Sequence, residues 1–336
     1  MNDLKFSILI PVYNMGDTIE DTLKSILSQS YGNFEIIIQD NDSQDKTAEI
    51  IKRFRDKRIK YFKNEKNIGA MMSLTRGKKN CRGDVVYLMA ADDILGKDAL
   101  LSTYKAFKIS DNIGAVTRPY FWFEKSVKIP VRAKKQIGTK NNTILRIENL
   151  DTNQMSDFLS TLDQMSGLAY RSKYMKKTFR DDQWTCHAYP FIQIFKSNPV
   201  VFLKNYTVAI RIGSSATRAN IYETSPMKSW IDMFKDAFPE KKFLQFKKKC
   251  ISEFVASNYI GLVQIRNYGR FRSFLREVFY LVKYRPKNLI NPVFWFFSFG
   301  CLIIPPFILI PLVDWYKNRI NTKMLSKIKF EYCLKN

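Results

Sequence analysis

Phe6-Ser-Ile-Leu-Ile-Pro-Val12, followed by Phe34-Glu-Ile-Ile-Ile38 and Val85-Val-Tyr-Leu-Met89, is the part of the chain on which the fold turns. Each run is short and continuously apolar rather than alternating, the pattern of a strand buried on both faces. Between these runs the period changes. Ile19, Leu23, Ile26 and Leu27 recur at helical spacing behind Asp17-Thr-Ile-Glu20, which offers an N-cap with Glu three residues on. Asp45 is placed to cap a second helix carrying Ile50, Ile51 and Phe54. Ile59-Lys-Tyr-Phe62 reads as a further strand and Gly69–Asn80 as a further helix. Strands alternating with helices at this pace predict βαβ units and a mostly parallel sheet, an α/β fold.

Downstream, 97–108 reads as a helix and 113–117 as a strand, after which the pattern weakens between 119 and 150. Lys, Arg and Asn dominate Val131–Asn142, which reads as a mobile loop. Leu168-Ala-Tyr170 is strand-like, a helical stretch is expected from Ser172, and 226–285 is helical, basic and interleaved with aromatic residues. Val293–Val313 (VFWFFSFGCLIIPPFILIPLV) carries no charge. Its length is near the ~20 apolar residues that span a bilayer. Pro305-Pro306 interrupts it, so two short helices dipping into one leaflet are expected rather than a straight span. A buried hairpin in a soluble core is the alternative. Lys283, Arg285 and Lys287 precede the segment and Lys317, Arg319 and Lys323 follow it, which fits both ends at a cytoplasmic membrane face. The expected organisation is a catalytic domain over 1–220 and a helical, basic, membrane-associated region over 221–336.

Charge supports that division. The 336 residues carry 55 Lys+Arg against 31 Asp+Glu, a formal +24. Residues 1–100 hold 16 basic and 15 acidic side chains, whereas 241–336 hold 18 and 4. An excess confined to one end implies an anionic partner there, nucleic acid or an anionic membrane surface. No nucleic-acid-binding module is recognisable and the first hundred residues are near neutral, which favours the membrane and no nucleic acid. The five cysteines form no CxxC and are odd in number, as in a reducing compartment without a zinc site or disulfide framework. The N-terminus enters a strand at once, without a signal-like apolar run, so the catalytic part is expected in the cytosol.

In an open parallel sheet, ligands bind beyond the carboxyl ends of the strands. Pro11-Val-Tyr-Asn14, Asp40-Asn-Asp-Ser43 and Ala91-Asp92-Asp93 occupy such ends, and neither GxGxxG nor GxxxxGK[ST] is present. Adjacent carboxylates after a buried strand are costly unless a cation or a hydroxyl network satisfies them. Hard oxygen ligands suit Mg²⁺ or Mn²⁺ bridged to substrate phosphate. Capping of the helix that starts near Lys97 is the alternative role for the pair. Asp40 at the neighbouring strand end favours a shared pocket.

These segments together resemble the family 2 glycosyltransferases of GT-A fold. The resemblance rests on Ser7-Ile-Leu-Ile-Pro-Val-Tyr-Asn14, Glu35-Ile-Ile-Ile-Gln-Asp-Asn-Asp-Ser43 with Asp45, Asn67-Ile-Gly69, Arg76 and Leu88-Met-Ala-Ala-Asp-Asp93. It covers 5–115 in order and spacing, and 165–205 more loosely. It implies that Pro11, Tyr13 and Asn14 line a nucleotide site, that Asp40 hydrogen-bonds a uracil ring beside Asn41, and that Arg76 faces the diphosphate or the base. It implies that Asp92 contacts ribose or metal and Asp93 the metal, Mn²⁺ or Mg²⁺. Ala90 stands where many members carry the first Asp of a DxD, which implies weaker metal dependence. An inverting reaction needs a base. Members usually supply it from a Glu-Asp pair after a Gly-x-x-x-Arg strand. Gly167-Leu-Ala-Tyr-Arg171 matches the strand, but the pair is missing, and Asp182 and His187 are the candidates, with Asp181 behind them. The expected activity is transfer from a nucleotide-sugar, a UDP-sugar first, to a hydroxyl of a lipid-linked glycan in surface polysaccharide (O-antigen or capsule) synthesis. Gln-x-x-Arg-Trp is absent, so one sugar per visit is expected. The alternatives are a polyprenyl-phosphate sugar synthase and a catalytically silent membrane scaffold of a glycan-assembly complex.

Overall fold

The structure, a computed structural model, describes residues 3–137, 141–212, 221–319 and 325–334. The apolar runs become strands β1 (Phe6–Val12), β2 (Phe34–Asp40), β3 (Ile59–Lys63) and β4 (Val85–Leu88). They pair in parallel in the order β3-β2-β1-β4. All seven residues of β2 are buried, which is why the run shows no alternation. Five short strands alternate with or follow these: β5 (Ile94–Leu95), β6 (Ala115–Thr117), β7 (Phe121–Phe123), β8 (Pro130–Ala133) and β9 (Thr143–Leu145). Three more, β10 (Ala169–Arg171), β11 (Val200–Phe202) and β12 (Val208–Arg211), complete the set. The large sheet continues past β4 through β10, β6, β11 and β9, with β10 antiparallel to both its neighbours. A smaller sheet, β5-β12-β7-β8, stands beside it.

Helices α1 (Ile19–Leu27), α2 (Thr47–Arg53), α3 (Ala70–Lys78) and α4 (Ala99–Lys108) cross between the early strands. α3 lies so close to the sheet that a Cβ on Gly77 would sit 2.7 Å from Leu9 Cδ1 and 2.9 Å from Gln39 Cβ. Asp45 accepts from the Thr47 amide at 3.0 Å and so caps the start of α2 as expected. The capping box at α1 does not form. Thr18 stands at the N-cap and its hydroxyl donates to the Ala91 carbonyl at 3.1 Å, while Glu20 pairs with Lys24. Tertiary contact has redirected the local capping group.

Glu35, on β2, is nearly buried beneath the edge of the sheet and accepts from Ser7, from the Arg82 amide and from Lys60. Burial alone would raise its pKa. The hydrogen bonds outweigh burial and bring it down to about 2. A carboxylate held below its unfolded value stabilises the fold above the unfolded pKa and loses that contribution as pH falls through the folded one. Glu35→Gln is therefore expected to cost about 1–3 kcal/mol at neutral pH. The difference from wild type should shrink between pH 4.5 and 2, as read by denaturant midpoints.

Two expectations are corrected here. Val131–Asn142 is not wholly a loop: Pro130–Ala133 pairs antiparallel with β7, and residues 138–140 lie outside the described part. The cations that mask the pattern have a packing role, since the Arg132 guanidinium lies 4.0 Å from the Trp122 ring centroid. The stretch from Ser172 makes a single 3₁₀ turn (Ser172–Tyr174), and the α-helix begins only at Ala188.

The remaining helices are α5 (Thr152–Ser160), α6 (Ala188–Phe195), α7 (Pro226–Ala237), α8 (Leu244–Lys249), α9 (Gly261–Tyr268), α10 (Phe271–Tyr284), α11 (Pro292–Ile303) and α12 (Pro306–Arg319). One apolar cluster runs from Leu9 and Ile37 through Tyr170 and Phe191 to Phe234, Leu281 and Phe294. Burial is therefore continuous across the expected boundary at 220, which itself falls outside the described residues. The uncharged segment forms two short helices interrupted at Ile304-Pro305. Among the described residues no helix is long and apolar enough to cross a membrane. The flanking Lys323 lies outside the described residues, as do the side chains of Lys317 and Arg319.

After α12 the chain returns to the small sheet. The Lys97 amide donates to the Glu331 carbonyl at 2.8 Å, and Ser28 donates to the Cys333 carbonyl at 2.7 Å. Phe330 meets Phe121 edge-on, centroids 4.9 Å apart, next to Gly96. Phe330→Ala is expected to lower stability by about 1–3 kcal/mol, measured by denaturant unfolding, because it leaves a gap against β7.

Candidate active site

The carboxyl ends of β1, β2 and β4 open into a cleft of about 950 Å³. Pro11 and Tyr13 line it from β1, Asn41 from β2, and Asp92 and Asp93 from the turn after β4. Asn14 does not line it. Its φ of 52° is a left-handed conformation that Asn tolerates, and its side chain accepts from the Gln44 amide at 2.8 Å. It thereby ties the β1 exit to the β2 exit.

Asp40 differs from expectation. Its carboxylate is fully buried, accepting from the Tyr61 hydroxyl at 2.5 Å and from the Ser43 amide at 2.8 Å, and it stands behind the cleft wall. Asn41 presents the surface instead. It accepts from Asn64 at 3.0 Å and from the Ile68 amide at 2.9 Å, and it donates to Asn67 at 2.7 Å. Arg76 joins the same network through Asn64 at 3.0 Å without reaching the cleft. The β2 side of the cleft is thus lined by neutral amides, Asn41 and Asn67, which offer hydrogen bonds without attracting a cation.

The Asp92–Asp93 turn is pinned from four directions. Thr18 and Thr22 of α1 donate to the carbonyls of Ala91 and Asp93. Ser166 donates to Asp93 Oδ2 at 2.6 Å and itself accepts from the Ala90 amide. The Arg211 amide donates to Asp93 Oδ1 at 2.9 Å, and its guanidinium donates to the Asp92 carbonyl at 3.0 Å. Gly167 makes the Ser166 approach possible with φ +90°. Burial, and then the neighbouring Asp92, hold Asp93 well above the usual carboxylate range. Among the described residues no three His, Cys, Asp or Glu side chains gather as metal ligands. The pair fits a divalent ion that draws its other ligands from phosphate and water, the habit of Mg²⁺.

Of the base candidates, His187 lines the cleft and Asp182 does not. Asp182 Oδ1 accepts from the amides of Trp184 and Thr185 at 2.8 and 2.9 Å, which makes it the cap of that turn. The exposed Asp181 is likewise outside the lining. His187 Nε2 lies 3.0 Å from the Leu162 carbonyl, which can only accept, so Nε2 carries the proton and Nδ1 the lone pair, which faces the Cys186 Sγ at 3.6 Å. Burial pushes the His187 pKa down, keeping the ring neutral.

Several lining residues were not singled out in the sequence. Arg211 ends β12, with no motif to mark it. Asp163 accepts from Tyr120 and Lys134 and lies just before Gly167, a position the Gly-x-x-x-Arg match could have flagged. Gln264 and Tyr268 of α9 and Ile310 and Val313 of α12 close the far wall, so the C-terminal helices are part of the site.

The family model described as glycosyl transferase family 2 matches residues 7–179, just over half the chain. The chain belongs to glycosyl transferase family 2. Among relatives of this family, an uncharacterized glycosyltransferase of Rickettsia conorii is 40% identical over 101 residues, 30% of this chain and 17% of that protein. The poly-β-1,6-N-acetyl-D-glucosamine synthase of Staphylococcus epidermidis is 38% identical over 112 residues, 33% of this chain and 27% of the synthase. The chain therefore spans under a third of the length of these relatives. S. aureus TarS 1–349 in complex with UDP-GlcNAc superposes with a TM-score of 0.65 at 15% identity, covering 96% of this chain and 91% of that one. The mannosyltransferase PcManGT of Pyrobaculum calidifontis, in complex with GDP-Man and Mn²⁺, superposes with a TM-score of 0.54 at 14% identity, covering 90% and 87%. The family 2 chain has the GT-A fold.

Proposed function

We propose that this family 2 protein transfers one sugar from a nucleotide-sugar, UDP-linked in the first instance, to a hydroxyl of a lipid-linked glycan, at the cytoplasmic face of a membrane. The observation that carries the reading is that the Asp92–Asp93 turn and the Asn41 wall face one cleft, with His187 across it. Relatives that make poly-N-acetylglucosamine and fold neighbours that hold UDP-GlcNAc or GDP-Man support the donor class. The apolar α12 residues Ile310 and Val313 at the cleft wall support a lipid-linked acceptor, and relatives that make poly-N-acetylglucosamine support a role in polysaccharide synthesis.

In this reading Tyr13, half exposed beside Pro11, and Asn41 hold the base, with Asp40 bracing the turn behind Asn41 through the Ser43 amide. Asp92 and Asp93 are the residues that would hold a divalent ion, which would offset negative charge on a diphosphate leaving group. Arg211 holds the Asp93 carboxylate through its amide and the Asp92 backbone through its guanidinium. His187 Nδ1 takes the proton of the acceptor hydroxyl, whose oxygen bonds to the anomeric carbon as the bond to the β-phosphate breaks. Attack from the face opposite the diphosphate inverts the centre.

The test is a panel of UDP-, GDP- and TDP-sugars incubated with membranes containing the protein, with nucleotide release measured. UDP binding by calorimetry, with and without Mn²⁺, is measured alongside. Release from one donor class is expected, with tighter binding in the presence of the ion. Neither release nor binding for any nucleotide would remove the proposal.

A further inference from the structure

The helices over Val293–Val313 have two faces of different character. On α11, Phe294, Ser298 and Cys301 turn inward and are buried. The opposite stripe, Val293, Phe296, Phe299 and Ile303, is exposed and wholly apolar, with Phe296 at 73% and Ile303 at 76%. α12 repeats this: Leu309 is buried, while Phe307 (76%), Ile308, Leu312 and Trp315 face outward. Leu289 and Ile290 extend the surface at the turn into α11. Single exposed apolar residues are ordinary, but two adjacent helices with apolar outer stripes are not, unless something covers them.

Charge identifies the cover. α10, which leads into this surface, presents Arg272 and Lys283 outward beside Leu275 and Phe279. The stretch 241–336 carries 18 basic against 4 acidic side chains. An apolar face rimmed by cations matches the layered chemistry of an anionic bilayer, acyl chains beneath negative headgroups. A second copy would instead bring two positive rims together. Span is excluded by length: twelve residues of α11 reach ~18 Å and fourteen of α12 ~21 Å, against a hydrocarbon core of ~30 Å.

We propose that the outer face of α11 and α12 inserts into one leaflet of an anionic membrane, with the basic residues of α10 at the headgroups. Because Ile310 and Val313 of α12 line the cleft, the helix that lies in the membrane also forms the acceptor wall. A lipid-linked acceptor then reaches the site along α12 with its lipid still in the leaflet, a consequence that rests on the transferase reading.

The experiment floats the full chain with vesicles of phosphatidylcholine, with and without phosphatidylglycerol, and measures UDP binding by calorimetry on the same preparations. Flotation with the anionic vesicles is expected, weaker with phosphatidylcholine alone. Phe296→Glu and Phe307→Glu should each weaken it roughly tenfold or more, since apolar surface is exchanged for charge. UDP affinity should stay unchanged. No flotation of the wild type, or equal flotation of both variants, overturns the proposal. So does a wild-type dimer by light scattering that the variants convert to monomer without any vesicle binding. Flotation lost in the variants in a protein that never binds UDP upholds the docking face and removes the transferase reading instead.

Discussion

Asp92→Asn is expected to lower sugar transfer by about 10²–10³-fold while leaving stability within about 0.5 kcal/mol of wild type. The first figure is the usual effect of removing one group that stabilises charge in the transition state, about 2.7–4 kcal/mol. The second follows from the position of Asp92 at the cleft surface, where a substitution disturbs no core packing. Asp93 is different in kind. Both its oxygens are engaged, with Ser166 and with the Arg211 amide; in Asp93→Asn the amide oxygen can still serve the Arg211 amide, but the NH2 then meets the donating Ser166 hydroxyl, so stability should fall as well as rate. Single-turnover rates and unfolding midpoints for the two variants separate these effects. An Asp92→Asn enzyme within threefold of wild type would mean that the turn does not serve the leaving group.

His187→Gln should reduce turnover by about 10²-fold or more, the range of general-base contributions, with little change in donor affinity. Glutamine can still donate to the Leu162 carbonyl, so the variant keeps the local structure and loses only the basic nitrogen. Burial lowers the pKa of His187 below its ordinary value of 6.5. The unfolded chain then binds a proton more readily than the folded one. Stability from this residue is complete above about pH 6.5 and is lost as pH falls below it. The rate should follow the same ionisation, with an acidic limb displaced below 6.5. Both the limb and the acid sensitivity of the unfolding midpoint should flatten in His187→Gln. An unchanged acidic limb in that variant would place the base elsewhere, and Asp163 is the other acid on that side of the cleft.

Residues differ in how much of their role can be read locally. Asp92 and Asp93 are found at the cleft because a strand end and two carboxylates are adjacent in sequence. Asp182 and His187 are five positions apart and indistinguishable on that basis. What separates them is that Asp182 is consumed by the amides of its own turn, while His187 is turned into the cleft by α6. Asp40 shows the same limit from the other side. Its place at the end of β2 was legible, but Tyr61 on β3 closes over its carboxylate and leaves Asn41 facing the ligand space.

By itself the sequence determined the strands β1 to β4, the helices between them and the break in the apolar segment at Pro305, because burial on both faces, helical period and proline chemistry are properties of neighbours along the chain. Only the tertiary structure decided which polar groups share the cavity. Ser166 and Arg211 reach the Asp92–Asp93 turn across 73 residues or more, α9 and α12 come to line the same cleft, and no local pattern encodes such a meeting. The tail that straps the small sheet belongs to the same class: its partners, Gly96 and Phe121, lie at the other end of the chain, and only packing brings them together.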